Sequence, residues 1–307
     1  MIPLPDNQAT FQYRGEEKTR WHFDPKYPRP FFYPFTGPSG ASLTRMGHPG
    51  APNHDHHLSV WFAHHKLNGH NFWGNSSGTQ IRQKQWLTYH DSDTEAIMGS
   101  LLGWYSEDGV EQMEQELVAA MIPKTGGEYL LELQSTFRPP ANAEKVELEQ
   151  TNFGFFAVRV AKSISEHFGS GQLTNSEGQI SEKEIFGKPA RWMDYSGPVA
   201  IGKGDERKTV DEGITFFDHP GNPRYPTHWH VRQDGWMGAS FGMNEAYTIT
   251  KDEPLVLRYL LYSHSGLYDA DKAGKIAKEF GQRGGFKLIT KPKSHIHIGI
   301  ERHDAEK

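Results

Sequence analysis

The 307-residue sequence contains no cysteine, which removes disulfides, thiolate nucleophiles and cysteine-ligated zinc sites together. It has no apolar run near the roughly 18–20 residues that a membrane-spanning helix needs, and its mean hydropathy is -0.71. Neither sign of charge dominates: 33 Lys+Arg stand against 38 Asp+Glu, a net charge of -5. Acids and bases are interspersed and the isoelectric point is near 6.4, so a dedicated nucleic-acid binder is not expected. No Gly-x-Ser-x-Gly elbow and no helical His-Glu-x-x-His motif occurs. Gly202-Lys203-Gly204 sits in no strand–helix pattern that would cradle a nucleotide. The opening MIPLPDNQAT lacks the basic stretch and apolar run of an export signal. Location stays open between the cytoplasm and, if a leader has been removed, the periplasm or exterior.

What the chain does have is turns, aromatics and histidine. The 32 Gly and 19 Pro make up about one residue in six, which fits many turns between short strands. LSVWFAH alternates Leu58, Val60 and Phe62 against Ser59, Trp61 and Ala63, and EYLLELQSTF (128–137) alternates likewise. FGFFAVRVA, GITFFDH, EPLVLRYLLYSH and SHIHIGIE read as further strands. One helix is expected over 268–283: Asp269 or Asp271 can cap it, Ala273, Ile276, Ala277 and Phe280 share a face, and Gly281 can end it. No linker, charge block or repeat marks a boundary. The expected architecture is all-β, one large antiparallel β-sandwich over 1–307 with one or two peripheral helices, residues 1–28 forming an extension or edge strand.

Of the 17 His, most candidates for chemistry fall in clusters. His54-Asp55-His56-His57 precedes the LSVWFA strand and His64-His65 closes it, with side chains of that last pair pointing oppositely. In Thr227-His228-Trp229-His230-Val231-Arg232, an extended backbone puts His228, His230 and Arg232 on one face and Trp229 with Val231 on the other. A third group is Glu177 beside Asn175-Ser176, with Arg191-Trp192-Met193-Asp194. A carboxylate in an aromatic-lined pocket gains a raised pKa and can act as general acid or base, whereas Arg191 and Asp194 could equally form a surface ion pair. Phe217-Asp218-His219 and Asn222 to Tyr225 could line the same mouth. His295 and His297, on a cleanly alternating segment, are expected to face solvent.

These residues suggest an enzyme acting on a sugar or oligosaccharide by acid/base chemistry. His57 and His230 are the acid/base pair, with Glu177 and Asp194 as further catalytic candidates. Arg45, Arg191 and Arg232 would hold substrate oxygens, and Trp61, Trp73, Trp192 and Trp229 would offer a flat wall for a pyranose. Hydrolysis or elimination of a keto-glycoside, and epimerisation, all need those parts. No cofactor is required outright. His54, His56, His65 and His228 could nevertheless hold a divalent metal (Zn, Mn, Ni or Cu) that polarises a substrate oxygen. The alternatives are a non-catalytic carbohydrate-binding sandwich and, more distantly, a copper-dependent polysaccharide oxidase. The sequence leaves substrate and oligomeric state open.

The ordered motifs RPFFYPFTGPSGASLTR, HDHHLSVWFAHHKLNGHNFW, NSEGQ, ARWMDYSGP, FDHPGNPRYPTHWHVR and LRYLLYSHSG, spread from about Arg29 to Gly266, resemble the PmoA-like family of bacterial proteins of unknown function. The resemblance implies a supersandwich like that of galactose mutarotases and some polysaccharide lyases. It also implies a setting among genes for sugar oxidoreductases, sulfatases and other carbohydrate functions. No catalytic residues come with it. The family's name echoes a membrane-embedded methane monooxygenase subunit, an implication that a chain without an apolar span does not carry.

Overall fold

Two eight-stranded antiparallel sheets stack face to face in the computed structural model, which describes residues 1–48 and 54–303. In spatial order the first sheet runs Ile2–Leu4, Gln8–Tyr13, Glu16–His22, Phe31–Phe35, Val60–His64, Gly154–Arg159, Trp236–Ala239 and Trp229–Arg232. The second runs Gln172–Asn175, Trp192–Ile201, Lys208–Asp218, Leu255–Ser265, Tyr129–Arg138, Glu111–Pro123, Ala96–Tyr105 and Gln80–Asp91. Residues 2–22 form three paired strands at one edge of the first sheet, the edge-strand form of the expectation for 1–28. No helix among the described residues is long and apolar enough to cross a membrane.

Period-two alternation decides which side chains enter the core. From the first sheet Val60, Phe62, Phe156 and Val158 point inward and meet Trp104, Leu131, Leu133, Phe216 and Tyr259 of the second. Each such burial stabilises by roughly 1.5–3 kcal/mol. Leu58 departs from the expected alternation and packs on the opposite side, with Trp61 and Ala63. Ser59 is the reason: its φ of 65° breaks the extended run just before the strand, so parity changes there.

The outer faces are covered differently. Helix Ala270–Gln282, capped by the Asp269 carboxylate accepting from the Lys272 amide at 3.0 Å, lays Ala273, Ile276 and Phe280 on Leu130, Trp192, Phe217 and Leu260 of the second sheet. A hairpin of Phe286–Lys293 and Ile296–Arg302 closes beside it over Ile97, Val118 and Ala120. His295 and His297 are exposed there, as expected. The first sheet's outer face instead carries Phe31, Trp61, Trp73 and Trp236 with Phe153 against them. On that aromatic face the histidines converge.

Candidate functional site

Residues directly opposite on antiparallel strands share a face, and the register builds the site in two rows. One row is Phe31, Trp61, Ala157, Gly238 and His230. The next is Arg159, Trp236 and Arg232. Small residues in the middle of the first row leave a trough for the Trp236 indole. A Cβ on Gly238 would stand 3.0 Å from Trp236 Cζ2, so any larger residue would push on the indole.

The His54–His57 turn folds over that trough. His57 stacks on Trp61 and Trp236 with ring centroids at 5.7 and 5.9 Å. His230 also packs against Trp236, at 4.0 Å and an interplanar angle of 52°. His54, His56 and His57 lie 4.4–5.5 Å from one another. Buried Arg29 ties this turn down, donating to the carbonyls of His56 and of Gly74 beside Trp73. Burial lowers its pKa to about 9. His54, His56, His57, Phe153, Arg159, His230, Arg232, Asp234 and Trp236 together enclose a pocket of about 220 Å³. The two sequence clusters, more than 170 residues apart, thus share one cavity.

Charge in the pocket is unbalanced. Arg159, with no exposed surface, donates from Nη1 to Asp234 Oδ1 at 2.7 Å, and His48 Nε2 donates to Asp234 Oδ2 at 2.9 Å. Arg45 Nη2 donates to the Asp234 carbonyl at 2.6 Å. Arg232, at the rim, pairs with Glu182 at 3.1 Å. Three guanidiniums therefore face two carboxylates. Arg159 Nε and Nη2, Arg45 Nε and Nη1, and the indole nitrogens of Trp61 and Trp236 are buried without partners. Each such donor costs about 1–3 kcal/mol if left dry.

Burial disfavours the charged form of three imidazoles, those of His54, His57 and His230. Burial, then Arg159 and the neighbouring rings, push His57 far below its ordinary pKa. Burial takes His230 down to about 4, against the opposing pull of the Asn152 carbonyl. His54 is lowered by burial, His48 and Arg159, and burial with the repulsion of Arg159 brings Arg45 to about 10. A carbonyl only accepts, so His230 Nδ1 carries the hydrogen in its 2.9 Å bond to Asn152. Its Nε2 is thereby the basic nitrogen.

Several expected members lie elsewhere. Trp229 is wholly buried between the sheets, its indole donating to the Ala190 carbonyl. His65 packs edge-on against Phe153 at the margin. His228 Nε2 accepts from Asn244 at 3.0 Å. Among the described residues no three histidine or acidic side chains are arranged to hold a metal ion, and the expected four-histidine set does not gather. Glu177 pairs with Arg191 at 3.3 Å, both exposed, and Arg191 lies over Trp192 on the other sheet. Asp194 is not Arg191's partner either. It is buried in the second sheet, accepting from Thr215 and from His264 Nε2 at 2.7 and 2.9 Å. Asp218, His219 and Asn222 belong to another buried network, with Arg258 and Thr227, and Arg224 donates to three backbone carbonyls. Neither set lines the pocket.

Asp194 is thus structural. Burial lowers the His264 pKa, but Asp194 overcomes it and leaves the ring above its ordinary value. A raised folded pKa stabilises below the unfolded value, near 6.5, and that contribution is lost as pH rises through the folded one. Asp194→Asn is expected to lower the melting temperature by several degrees at pH 6 and distinctly less at pH 9. Equal losses at both pH values would show that the ion pair contributes nothing.

A larger cleft, of about 710 Å³, lies between the 123–128 turn and the helix. Two of its four cations have acidic partners, Lys272 with Glu128 at 2.9 Å and Lys124 with Glu279 at 3.8 Å, and it gathers no histidine.

Arg159, Asp234, Trp236, His48 and Phe153 escaped the sequence reading. The one available signal was Arg159 itself, a lone cation inside the apolar run FGFFAVRVA. A family of unknown function (DUF6807) has a model that matches residues 8–278, spanning both sheets and the whole pocket. No curated protein matches the chain. The description carries no activity, and nothing in the match connects the chain to PmoA or to carbohydrates.

Proposed function

We propose, for a chain that belongs to the family of unknown function DUF6807, that the pocket between His57 and His230 binds a sugar or glycoside and turns it over by proton transfer. The observation that carries this reading is the aromatic trough around Trp236, against which the buried imidazoles of both His57 and His230 pack at the wall of one pocket. Indole and phenyl faces suit the C–H face of a pyranose, and buried donors suit its oxygens. His230, with Nδ1 committed to Asn152, presents Nε2 as the base that takes a proton from carbon or water. His57, beside Arg159, is the partner that takes a proton from solvent as negative charge develops on the reacting oxygen and passes it to that oxygen, while the proton held by His230 is released to solvent with product. Hydrolysis or elimination of a keto-glycoside, and epimerisation, fit these roles.

One observation favours the non-catalytic alternative. A ring with a pKa of about 4 is a weak base at neutral pH, and a binding site does not need a strong one. A screen of glycosides and their 3-keto derivatives, followed by mass spectrometry with and without chelator, separates the readings. Product from a subset of substrates supports the enzyme. Saturable binding without product supports the binding module, and loss of product with chelator adds a divalent ion to the imidazoles. Absence of binding by every saccharide overturns both.

A further inference from the structure

We infer that the ligand of this pocket bears a carboxylate, seated on the Nε–Nη2 edge of Arg159, so that the preferred sugars are acidic ones such as uronates. The inference rests on the saccharide reading above and names its substrate class. Arg159 has no exposed surface, its Nη1 is held by Asp234, and its Nε and Nη2 have no partner. Those two nitrogens form the side-on fork of a guanidinium, whose parallel N–H groups match the two oxygens of a carboxylate. The surroundings ask for the same charge. Around this pocket the unpartnered nitrogens of Arg45, Arg159, Trp61 and Trp236 are all donors, while that of His57, Nδ1, can also accept. Both Asp234 oxygens are already engaged by Arg159 and His48, so the one carboxylate lining the cavity has little left to neutralise a second guanidinium. Sugar hydroxyls could accept from the fork donors too, but only a carboxylate does so while also balancing the guanidinium charge. The pocket, at about 220 Å³, is sized for a compact ligand, whose carboxylate must uncover the Nε and Nη2 atoms now buried at its wall.

The test measures binding of matched pairs to the full chain by calorimetry: glucose, galactose and mannose against glucuronate, galacturonate and mannuronate, with glucose 6-sulfate and acetate as controls. At least one uronate is expected to bind ten-fold or more tighter than its neutral partner. Arg159→Lys, which keeps the charge and loses the fork, is expected to remove most of that preference. Its melting curve reports whether it folds, and the wild-type pairs decide the question even if it does not. Equal affinity within each pair overturns the carboxylate inference and leaves the saccharide reading standing. Tight acetate binding without any sugar preference keeps the anion site and removes the saccharide reading. A sulfate ester bound as tightly as the best uronate replaces carboxylate specificity by a general anion site, which overturns the inference as stated.

Discussion

Glu132→Ala is expected to destabilise the fold more than any substitution at the pocket, by about 3–5 kcal/mol, the cost of stranding a buried charge cluster. Glu132 is wholly buried in the strand Tyr129–Arg138, and three guanidiniums converge on it: Arg258 at 2.8 Å, Arg283 at 3.0 Å and Arg302 at 3.1 Å. Arg283 follows the helix and Arg302 ends the C-terminal hairpin, so one carboxylate fastens both covering elements to the second sheet. Burial alone would raise its pKa. Arg302 and Arg258 outweigh that and hold it below the ordinary carboxylate value. A lowered folded pKa gives stability above the unfolded value, near 4.5, that is lost as pH falls through the folded one. The alanine variant is expected to melt roughly 5–8 °C below wild type at pH 7, with the gap narrowing in acid. Circular dichroism melts within 2 °C of one another would refute the fastening role.

The largest effect on activity is expected at His230. On the enzyme reading His230→Ala lowers kcat/KM by about 10²–10⁴, the usual contribution of a positioned general base. Because the ring packs on Trp236, Phe153 and Phe186, alanine also leaves a hole. His230→Asn is the sharper variant, filling more of the space while lacking a basic nitrogen. It is expected to lose as much turnover as alanine while melting closer to wild type. A base must be unprotonated to act, so the acid limb of wild-type kcat/KM is expected to fall as pH drops through about 4. Retention of activity within threefold in both variants would take His230 out of the mechanism and leave it a wall of the pocket.

How much of this was legible in the sequence depends on parity. Strands of the LSVWFAH and EYLLELQSTF type announce themselves by period two, and the helix by its cap and its Ala273–Ile276–Phe280 face. Parity also placed His230 and Arg232 together and Trp229 apart from them, as the structure has it. It failed where a single backbone angle intervenes, at Ser59, and where a distant element covers a polar face. Glu132 reads as the solvent side of its strand until the hairpin and the helix end close over it. Asp194 reads as a loop carboxylate because nothing local shows that His264, 70 residues on, will pair with it. Arg159 and Asp234 meet across 75 residues, and only the sheet register brings Arg159 beside Trp236. Local pattern gives the elements; partners are fixed by register, which a single sequence carries weakly.

The most direct test of the pocket is a crystal structure of the chain soaked with the tightest-binding uronate. The account predicts the sugar ring against Trp236 between His57 and His230, with its carboxylate spanning Arg159 Nε and Nη2. A ligand seated instead in the cleft lined by Lys124 and Lys272, with the histidine pocket unchanged, would contradict it.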